Sequence, residues 1–307
     1  MMGEPYTLEG PALLMSDLHL NGEARDQSPL GLLKLIAGGA LSVTPRHILL
    51  VGDVFDFNLG YQRSIYAHLL PVYQLLFALA DQGIRLWVFT GNHDPDPCPH
   101  LAEREGITVI TAPTTFTFVT LDEQGTEHRV TALIEHGDLC EATWVKRSLC
   151  LLARATWVRW LARRLPPALA LALAPKLPAR LNVAQPPVEV NAVAPLQNAS
   201  LTRLVGRWIE HSTQRPHSAL APSPDLWVMG HFHEARLLST AQPSCHGLEA
   251  LEALHASSLQ ALVILGDWVT LNTCLLIDQG ELSLLQYQPQ SSPKSPLLPL
   301  KRLSITR

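Results

Sequence analysis

Five short motifs in this sequence combine carboxylate, imidazole and amide side chains at spacings that suit metal binding. In chain order they are SDLHL at 16–20, GDVFD at 52–56, GNHD at 91–94, HGD at 136–138 and GHFH at 230–233. Carboxylate and amide oxygens together with imidazole nitrogens are typical ligands of Mn²⁺, Fe or Zn²⁺. In D-x-H and H-x-H the period of two directs both side chains to one side of an extended segment. The sequence therefore predicts a metal site assembled from several motifs.

Every motif stands at the end of a segment that is predicted to form a strand. ALLMS at 12–16, HILLV at 47–51 and LWVFT at 86–90 are short apolar runs typical of buried strands. The apolar spacing over 63–83 predicts a helix that ends at a glycine. Alternating strands and helices indicate an α/β protein. Because ligands collect at the carboxyl ends of strands in such a sheet, we expect the five motifs to converge.

Each motif taken singly also has a structural explanation. Asp53 alone could cap a helix, and a lone histidine beside a strand is more often structural than a ligand. The eight histidines outside the motifs are interpreted in that way. Five motifs in order, each at a strand end, favour a functional site instead. Glycine before Asp53, Asn92 and His231 permits tight turns, through which the backbone could approach an ion.

In this order the motifs resemble those of the calcineurin-like metallophosphoesterase superfamily, and they span residues 17–233. The resemblance implies a four-layer αββα sandwich and a reaction in which two divalent ions help water to attack a phosphorus. It also implies a ligand set, in which one residue bridges the two ions. One ion would be held by Asp17, His19 and His233, the other by Asn92, His136 and His231, with Asp53 as the bridge.

The same resemblance implies that two further motif residues act in catalysis. His93, next to Asn92, would face the substrate and stabilise or protonate the leaving oxygen. The carboxylate of Asp56 would orient the His93 ring. Asp94 would support the local turn. Asn92 and His93 are thus also the predicted substrate-binding residues.

A basic, apolar block separates the fourth motif from the fifth. Residues 142–188 carry eight of the 23 Lys and Arg residues and no Asp or Glu, and they include WVRWLARRLPPALALALAPKLPAR at 157–180. The apolar run is too short and too interrupted by proline to cross a bilayer. Such a block on an otherwise acidic chain indicates an anionic partner, although a solvated helical hairpin is the alternative. We expect a packed helix pair with some arginines toward substrate phosphates and others toward lipid.

These patterns predict an organisation with one insertion and a tail. The metallophosphoesterase core would comprise 1–141 and 221–288, and a helical cap insertion would comprise 142–220. The Pro- and Ser-rich segment 289–307 is predicted to be a loosely ordered tail.

A closer resemblance concerns HGDLC, the insertion, GHFHEAR and LVILGDW. Together they are similar to bacterial UDP-2,3-diacylglucosamine diphosphatases of lipid A synthesis. That resemblance implies Mn²⁺-dependent cleavage of the substrate's pyrophosphate to lipid X and UMP, under a cap that shelters the acyl chains. It also implies a cytoplasmic enzyme, peripheral on the anionic surface of the inner membrane. His93 departs from those enzymes, which carry Arg there, and agrees with the wider superfamily.

Two other functions remain open from the sequence. The chain could be a phosphodiesterase or phosphatase acting on soluble nucleotides, or a non-catalytic scaffold of the same fold. A nucleic-acid partner is disfavoured by the acidic balance of the chain and by the lack of a basic sheet with interleaved aromatics. Five scattered cysteines predict reduced thiols in a cytoplasm, and the first residues lack the pattern of a secretory signal.

Overall fold

The computed structural model describes residues 5–22, 27–96, 99–140, 144–173, 224–239, 259–289 and 296–304. The strands in these ranges are, in chain order, β1 Tyr6–Glu9, β2 Ala12–Met15, β3 His47–Val51, β4 Arg85–Phe89, β5 Ile107–Ile110, β6 Thr114–Leu121, β7 Glu127–Glu135, β8 Leu226–Met229, β9 Ala235–Ser239, β10 Ala261–Leu265, β11 Thr273–Asp278, β12 Glu281–Tyr287 and β13 Leu297–Ser304. The α helices are α1 Gln27–Ala37, α2 Leu70–Asp81, α3 Pro99–Ala102, α4 Trp144–Arg154, α5 Thr156–Ala162 and α6 Pro167–Leu173.

The strands form two mixed sheets. The seven-stranded sheet has the order β13-β12-β11-β2-β3-β4-β5, and the six-stranded sheet has the order β1-β6-β7-β8-β10-β9. In the first sheet β2 to β5 are parallel, as expected for strands joined by helices. In the second sheet β7, β8 and β10 are parallel neighbours.

The two sheets stack on one another, and helices cover the far side of the seven-stranded sheet. Along β2, Leu14 belongs to the apolar core between the sheets, whereas Leu13 and Met15 belong to the core under the helices. Helices α1 and α2 contribute Leu33 and Leu76 to that second core. The two-residue period of a strand therefore supplies both cores at once, which is why these strands are apolar throughout.

The prediction of an α/β fold with stacked sheets is confirmed. A helical layer against the outer face of the six-stranded sheet is not seen in the described ranges, so the fourth layer of the sandwich stays a prediction there. The helix predicted over 63–83 is shorter, because α2 begins at Leu70 with Pro71 in its first turn. Proline suits that place, since its missing N–H has no partner within the helix anyway.

The prediction of a loose tail is wrong for residues 297–304. They form β13, which pairs antiparallel with β12 and covers an edge that would otherwise be open. Leu300 and Leu303 pack against the core between the sheets, which explains why this segment is ordered. Pro299 lies at a register shift in the pairing, where the missing N–H of an edge-strand proline is tolerated.

Residues 144–173, near the start of the predicted insertion, contain the helices α4, α5 and α6. The remainder of the predicted cap, from 174 to 220, lies outside the described residues, and the boundaries of the insertion remain predictions. Across the described ranges, no helix combines the length and the hydropathy that a bilayer crossing requires.

Candidate metal centre

The five motifs meet where parallel strands of both sheets end. Strands β2, β3 and β4 lie side by side and lead into the first three motifs. Strands β7 and β8 are parallel neighbours in the other sheet and lead into HGD and GHFH. The main-chain N–H of His231 donates to Asp17 Oδ2 at 2.7 Å, which joins the ends of the two sheets. The predicted convergence of the motifs is therefore observed.

Asp17, His19 and His233 form the first cluster of possible metal ligands. One ligand atom from each lies within 4.8 Å of the others. Asp17 Oδ1 is 3.9 Å from His19 Nε2 and 3.3 Å from His233 Nε2. Both side chains from the first motif are buried, while His233 is partly exposed.

Asp53, His136 and His231 form the second cluster, again with ligand atoms within 4.8 Å of one another. Asp53 Oδ2 is 3.4 Å from His136 Nε2 and 4.0 Å from His19 Nε2. Asn92 Oδ1 lies 3.2 Å from His136 Nε2. One oxygen of Asp53 thus faces imidazoles of both clusters, which is the position that a bridging ligand requires.

Unusual backbone conformations concentrate at this site. Seven non-glycine residues in the described ranges have positive φ, and five of them belong to the two clusters: Asp17, His19, Asp53, His231 and His233. Left-handed backbone is costly for residues with a Cβ, and it persists where the surrounding structure enforces it, often at functional sites. The fold therefore holds these side chains in place at an energetic cost.

Two glycines make room for ligand side chains. A Cβ at Gly91 would overlap the Asp53 carboxylate, and a Cβ at Gly230 would overlap Ser16 Oγ and the Asp17 carboxylate. These glycines thus allow close approach to predicted ligands, and the role predicted for them, which was to let the backbone approach an ion, stays a prediction.

The atoms that face one another in the first cluster fit a cation. Asp17 Oδ1 and His19 Nε2 are buried and have no hydrogen-bond partner among the described residues. Buried polar atoms without a partner are rare because each costs free energy. Carboxylate oxygen and imidazole nitrogen are both suitable ligands of Mn²⁺, Fe or Zn²⁺. A divalent ion would satisfy both atoms.

The charges of the centre are strongly coupled. Burial alone would raise the pKa of the Asp17 carboxyl, but His233 and His136 lower it to about 2. Burial alone would lower the pKa of both imidazoles, but Asp53 raises that of His136 to about 10 and Asp17 raises that of His233 to about 9. A divalent ion that binds here would displace protons from the histidines, so metal affinity should fall as the pH falls.

His93 lies at the edge of the same group, but Asp56 holds it differently from the prediction. His93 Nδ1 lies 2.8 Å from the main-chain carbonyl oxygen of Asp56. The Asp56 carboxylate also lies near His19, with Oδ1 3.5 Å from His19 Nδ1. The main-chain N–H of His93 donates to Asp53 Oδ1 at 2.9 Å. The carbonyl can orient the ring because the GDVFD and GNHD loops lie against each other. The spacing of the motifs along the chain does not indicate this contact.

Asp94 connects two motifs, which is more than support for its own turn. Its Oδ1 accepts from the N–H groups of Gly91 and Asp53, at 2.8 and 3.1 Å. Its Oδ2 accepts from those of Val54 and Phe55, at 2.8 and 3.2 Å. The fully buried carboxylate thereby fixes the GDVFD and GNHD loops to each other.

Three cap arginines bind the core. Arg154 Nε and Nη2 donate to the two carboxylate oxygens of Asp138, at 2.7 and 2.9 Å, and Nη2 also donates to the Thr90 carbonyl at 3.0 Å. Arg159 and Arg163 both pair with Asp96, which follows GNHD. These arginines therefore attach the cap to loops of the metal centre, contrary to the expectation that they point toward phosphate or lipid. Sequence reasoning missed these pairs, because their acids lie far away along the chain.

Other side chains of the cap helices are apolar and exposed, in contrast to the arginines that contact the core. Eight large apolar side chains within 144–173 are between 38 % and 64 % exposed: Val145, Leu151, Leu152, Trp157, Trp160, Leu161, Leu165 and Leu169. The guanidinium of Arg164 stacks on the Trp160 ring, 4.1 Å from its centroid. The described cap helices thus carry exposed apolar side chains and are attached by arginines to loops of the metal centre, and exposed apolar residues in such numbers mark interaction sites.

Comparison with known proteins agrees with this geometry. The chain is 26 % identical over 277 residues to a UDP-2,3-diacylglucosamine hydrolase of Aeromonas salmonicida, covering 89 % of this chain and 92 % of that protein. It is 26 % identical over 276 residues to the protein of the same name from Aeromonas hydrophila, covering 90 % of this chain and 98 % of the other. A cold-active protein-tyrosine phosphatase of a psychrophilic Shewanella superposes with a TM-score of 0.40 at 14 % identity, covering all of this chain and 83 % of that one, which is too low to carry an argument.

A family model described as calcineurin-like phosphoesterase matches residues 10–235. That span includes all five motifs and most of the described core. Family membership and the clusters of Asp and His together identify the chemistry as metal-dependent hydrolysis of a phosphoester. The chain belongs to the calcineurin-like metallophosphoesterases.

Proposed function

We propose that this enzyme hydrolyses the pyrophosphate bond of a lipid-linked sugar nucleotide, UDP-2,3-diacylglucosamine, to lipid X and UMP. The observation that carries the proposal is the apolar cap surface, which is attached by arginines to loops of the metal centre. A substrate with a charged head and acyl chains matches a site that is charged at the metals and apolar beside them. The full-length similarity to two UDP-2,3-diacylglucosamine hydrolases supports the same substrate.

The metal ligands in this proposal are those of the two clusters. Asp17, His19 and His233 would hold one ion, Asn92, His136 and His231 would hold the other, and Asp53 would bridge them. Two divalent ions, Mn²⁺ by preference and Fe or Zn²⁺ as alternatives, would supply an activated water and neutralise the phosphoryl oxygens.

His93 would act on the leaving group. Its Nδ1 is engaged by the Asp56 carbonyl, so its Nε2 is available to donate a proton or a hydrogen bond. Burial alone would lower the pKa of His93, but the charge of Asp53 and the Asp56 carbonyl raise it above its ordinary value. The protonated ring is the form that can stabilise or protonate a departing oxygen. Asn92, beside it, would contact the substrate phosphate as well.

The same apolar surface supports peripheral binding to a membrane. Trp157 and Trp160 are more than half exposed, and Arg164 lies against one of them. Tryptophan and arginine together suit the interface of an anionic bilayer. We therefore propose that the cap contacts the cytoplasmic face of the inner membrane, where such a lipid substrate resides.

A direct assay tests the substrate. The purified protein with Mn²⁺ is incubated with UDP-2,3-diacylglucosamine in mixed micelles and, separately, with soluble nucleotide diesters. We expect lipid X and UMP, detected by mass spectrometry, at a rate well above that on soluble diesters. Asp53→Asn serves as the inactive control. Hydrolysis of the soluble diesters alone would reject the lipid-linked substrate.

One observation favours a second candidate, a phosphoesterase of soluble nucleotides. His93 is the usual superfamily residue at a position where the resembling diphosphatases carry Arg, so the leaving-group side of the site is that of a general phosphoesterase. Hydrolysis of soluble nucleotide diesters without hydrolysis of UDP-2,3-diacylglucosamine would support this candidate.

A further inference from the structure

The segment between β10 and β11, residues 266–272, lies next to the cluster of Asp17, His19 and His233. Strand β10 is parallel to β8 and ends at the same edge of the six-stranded sheet. Strand β11 is antiparallel to β2 in the other sheet. The segment therefore crosses from one sheet to the other beside the residues that follow β2 and β8. It also lies beyond residues 10–235, the span matched by the family model.

Two contacts join this segment to the first cluster. The main-chain N–H of Trp268 donates to the carbonyl oxygen of Asp17 at 3.1 Å. Asp267 Oδ2 lies 3.7 Å from His233 Nδ1. On the other side of the same imidazole, His233 Nε2 lies 3.3 Å from Asp17 Oδ1. The ring of His233 thus stands between the carboxylate of its own cluster and the carboxylate of Asp267.

The Asp267 carboxylate is held rigidly. It is buried, and its Oδ1 accepts from the main-chain N–H groups of Val269, Thr270 and Leu271. The Thr270 hydroxyl lies within hydrogen-bond distance of both carboxylate oxygens. Oδ1 accepts the main-chain hydrogen bonds of the turn, and Oδ2, which accepts from the Thr270 hydroxyl at 2.9 Å, faces His233.

The side chain of His233 is 44 % exposed, so the surrounding protein restrains its ring only in part, whereas the side chain of Asp267 is 2 % exposed and held in place. A carboxylate behind the Nδ1 of a metal-binding histidine keeps the proton on Nδ1, aims Nε2 at the ion and makes Nε2 a better electron donor. His19 in the same cluster has the Asp56 carboxylate at 3.5 Å from its Nδ1. His136 of the other cluster has the Val51 carbonyl at 2.9 Å from its Nδ1 instead of a carboxylate.

We propose that Asp267 is a positioning residue for the metal site of Asp17, His19 and His233, and that it strengthens binding of the ion there by orienting the His233 ring. The inference rests on the ligand assignment made in the proposed function, but not on the identity of the substrate. It predicts that the loss of one negative charge at Asp267 weakens metal binding without disturbing the fold.

Asp267→Asn isolates this role. The amide oxygen of asparagine can occupy the Oδ1 position and keep the three main-chain hydrogen bonds, while an NH₂ group replaces the oxygen that faces His233. Metal content is measured by elemental analysis after equilibration with Mn²⁺ and graded chelator. We expect the affinity of one of two sites to fall about 10- to 100-fold, while the melting temperature of the metal-free protein stays close to that of the wild type.

Two further variants separate positioning from a structural role. Val269→Ala alters the same turn but keeps the carboxylate and every group that donates to it, so it should bind metal like the wild type. His233→Ala should weaken the same site, and Asp267→Asn should add nothing to it, because the residue acts through that ring. Unchanged affinity in Asp267→Asn, or equal losses in Val269→Ala, would overturn the inference. If the wild type itself binds no metal, the ligand assignment of the proposed function fails as well.

Discussion

The predicted metal ligands sit on main-chain segments that two stacked sheets hold together, whereas the described cap helices are attached to those sheets by side chains. Five of the ligands have left-handed backbone conformations that only the surrounding fold enforces. The described cap helices carry eight exposed large apolar residues and contact the core through Arg154, Arg159 and Arg163. Geometry held by the main chain is rigid, and geometry held by ion pairs can be adjusted. Changes in the first region should therefore abolish chemistry, and changes in the second should alter substrate handling.

The largest effect is expected from Asp53→Asn. One oxygen of Asp53 faces imidazoles of both clusters, so the loss of its charge should weaken both ions at once. We expect the activity to fall by at least about 10³-fold, since removal of even one well-placed stabilising group costs about 10²- to 10³-fold. Turnover and metal content are measured together. Asp122→Asn, in the β6–β7 turn, is the control, and a variant that keeps two ions and a tenth of the activity would contradict the bridging role.

His93→Gln should have the next largest effect, about 10²- to 10⁴-fold on kcat. It should also change the pH profile. Burial alone would lower the pKa of His93, but in the metal-free site Asp53 and the Asp56 carbonyl raise it, so the protonated form persists above the ordinary range there and is lost as the pH rises further. Wild-type activity should therefore decline on the alkaline side through that pKa, and the variant should lack this limb. His128→Gln, at the start of β7 beside the β6–β7 turn, is the control, and an identical alkaline limb in both variants would exclude His93 as the acid.

Arg154→Met tests how the cap is attached. Asp138 is buried, and removal of its partner from a largely buried pair should cost about 3 kcal/mol of local stability. We expect faster proteolysis and amide exchange in α4 and α5, with a higher KM for a lipid substrate and a smaller change in kcat. Arg129→Met, on β7, is the control, because Arg129 pairs with Glu127 at an exposed position outside the cap. Asp138→Asn in the same chain should recover part of the loss, and no recovery would argue against the pair.

The smallest effect on chemistry is expected from the double change Trp157→Ser and Trp160→Ser. Both side chains are exposed, so the fold should be retained. Binding to vesicles that contain anionic lipid, measured by flotation, should be lost, while turnover of a soluble diester stays within about twofold of the wild type. Leu121→Ser, an exposed apolar residue on β6, should not change flotation. If the tryptophan variant still floats with the vesicles, the membrane contact is made by other residues.

Much of the site could be predicted because each motif follows its strand directly. Apolar runs such as HILLV indicate buried strands, and the polar residues after them must then lie at a strand end. The order of the motifs carries the resemblance to metallophosphoesterases, and the residues so predicted are those that the fold brings within a few ångströms. The α/β character follows from the same alternation of patterns.

Other features depend on contacts between distant segments and have no local signal. The Arg159–Asp96 pair joins residues 63 apart along the chain, and the Asp267–His233 contact joins residues that follow the neighbouring strands β10 and β8. The pairing of β13 with β12 also has no local signal, because the Pro- and Ser-rich residues around β13 do not show the pattern of a strand. A prediction from spacing could not distinguish the carbonyl of Asp56 from its carboxylate as the partner of His93.

The sequence by itself determined which residues can bind metal and act on a phosphoester, since residue type and the neighbouring strand are both written along the chain. Only the tertiary structure decided which groups hold those residues in place. Examples are Asp94 between two loops, Asp267 beside His233 and the arginines that attach the cap. The physical reason is that ligand chemistry is a property of single side chains, whereas orientation comes from long-range packing of strands from two sheets.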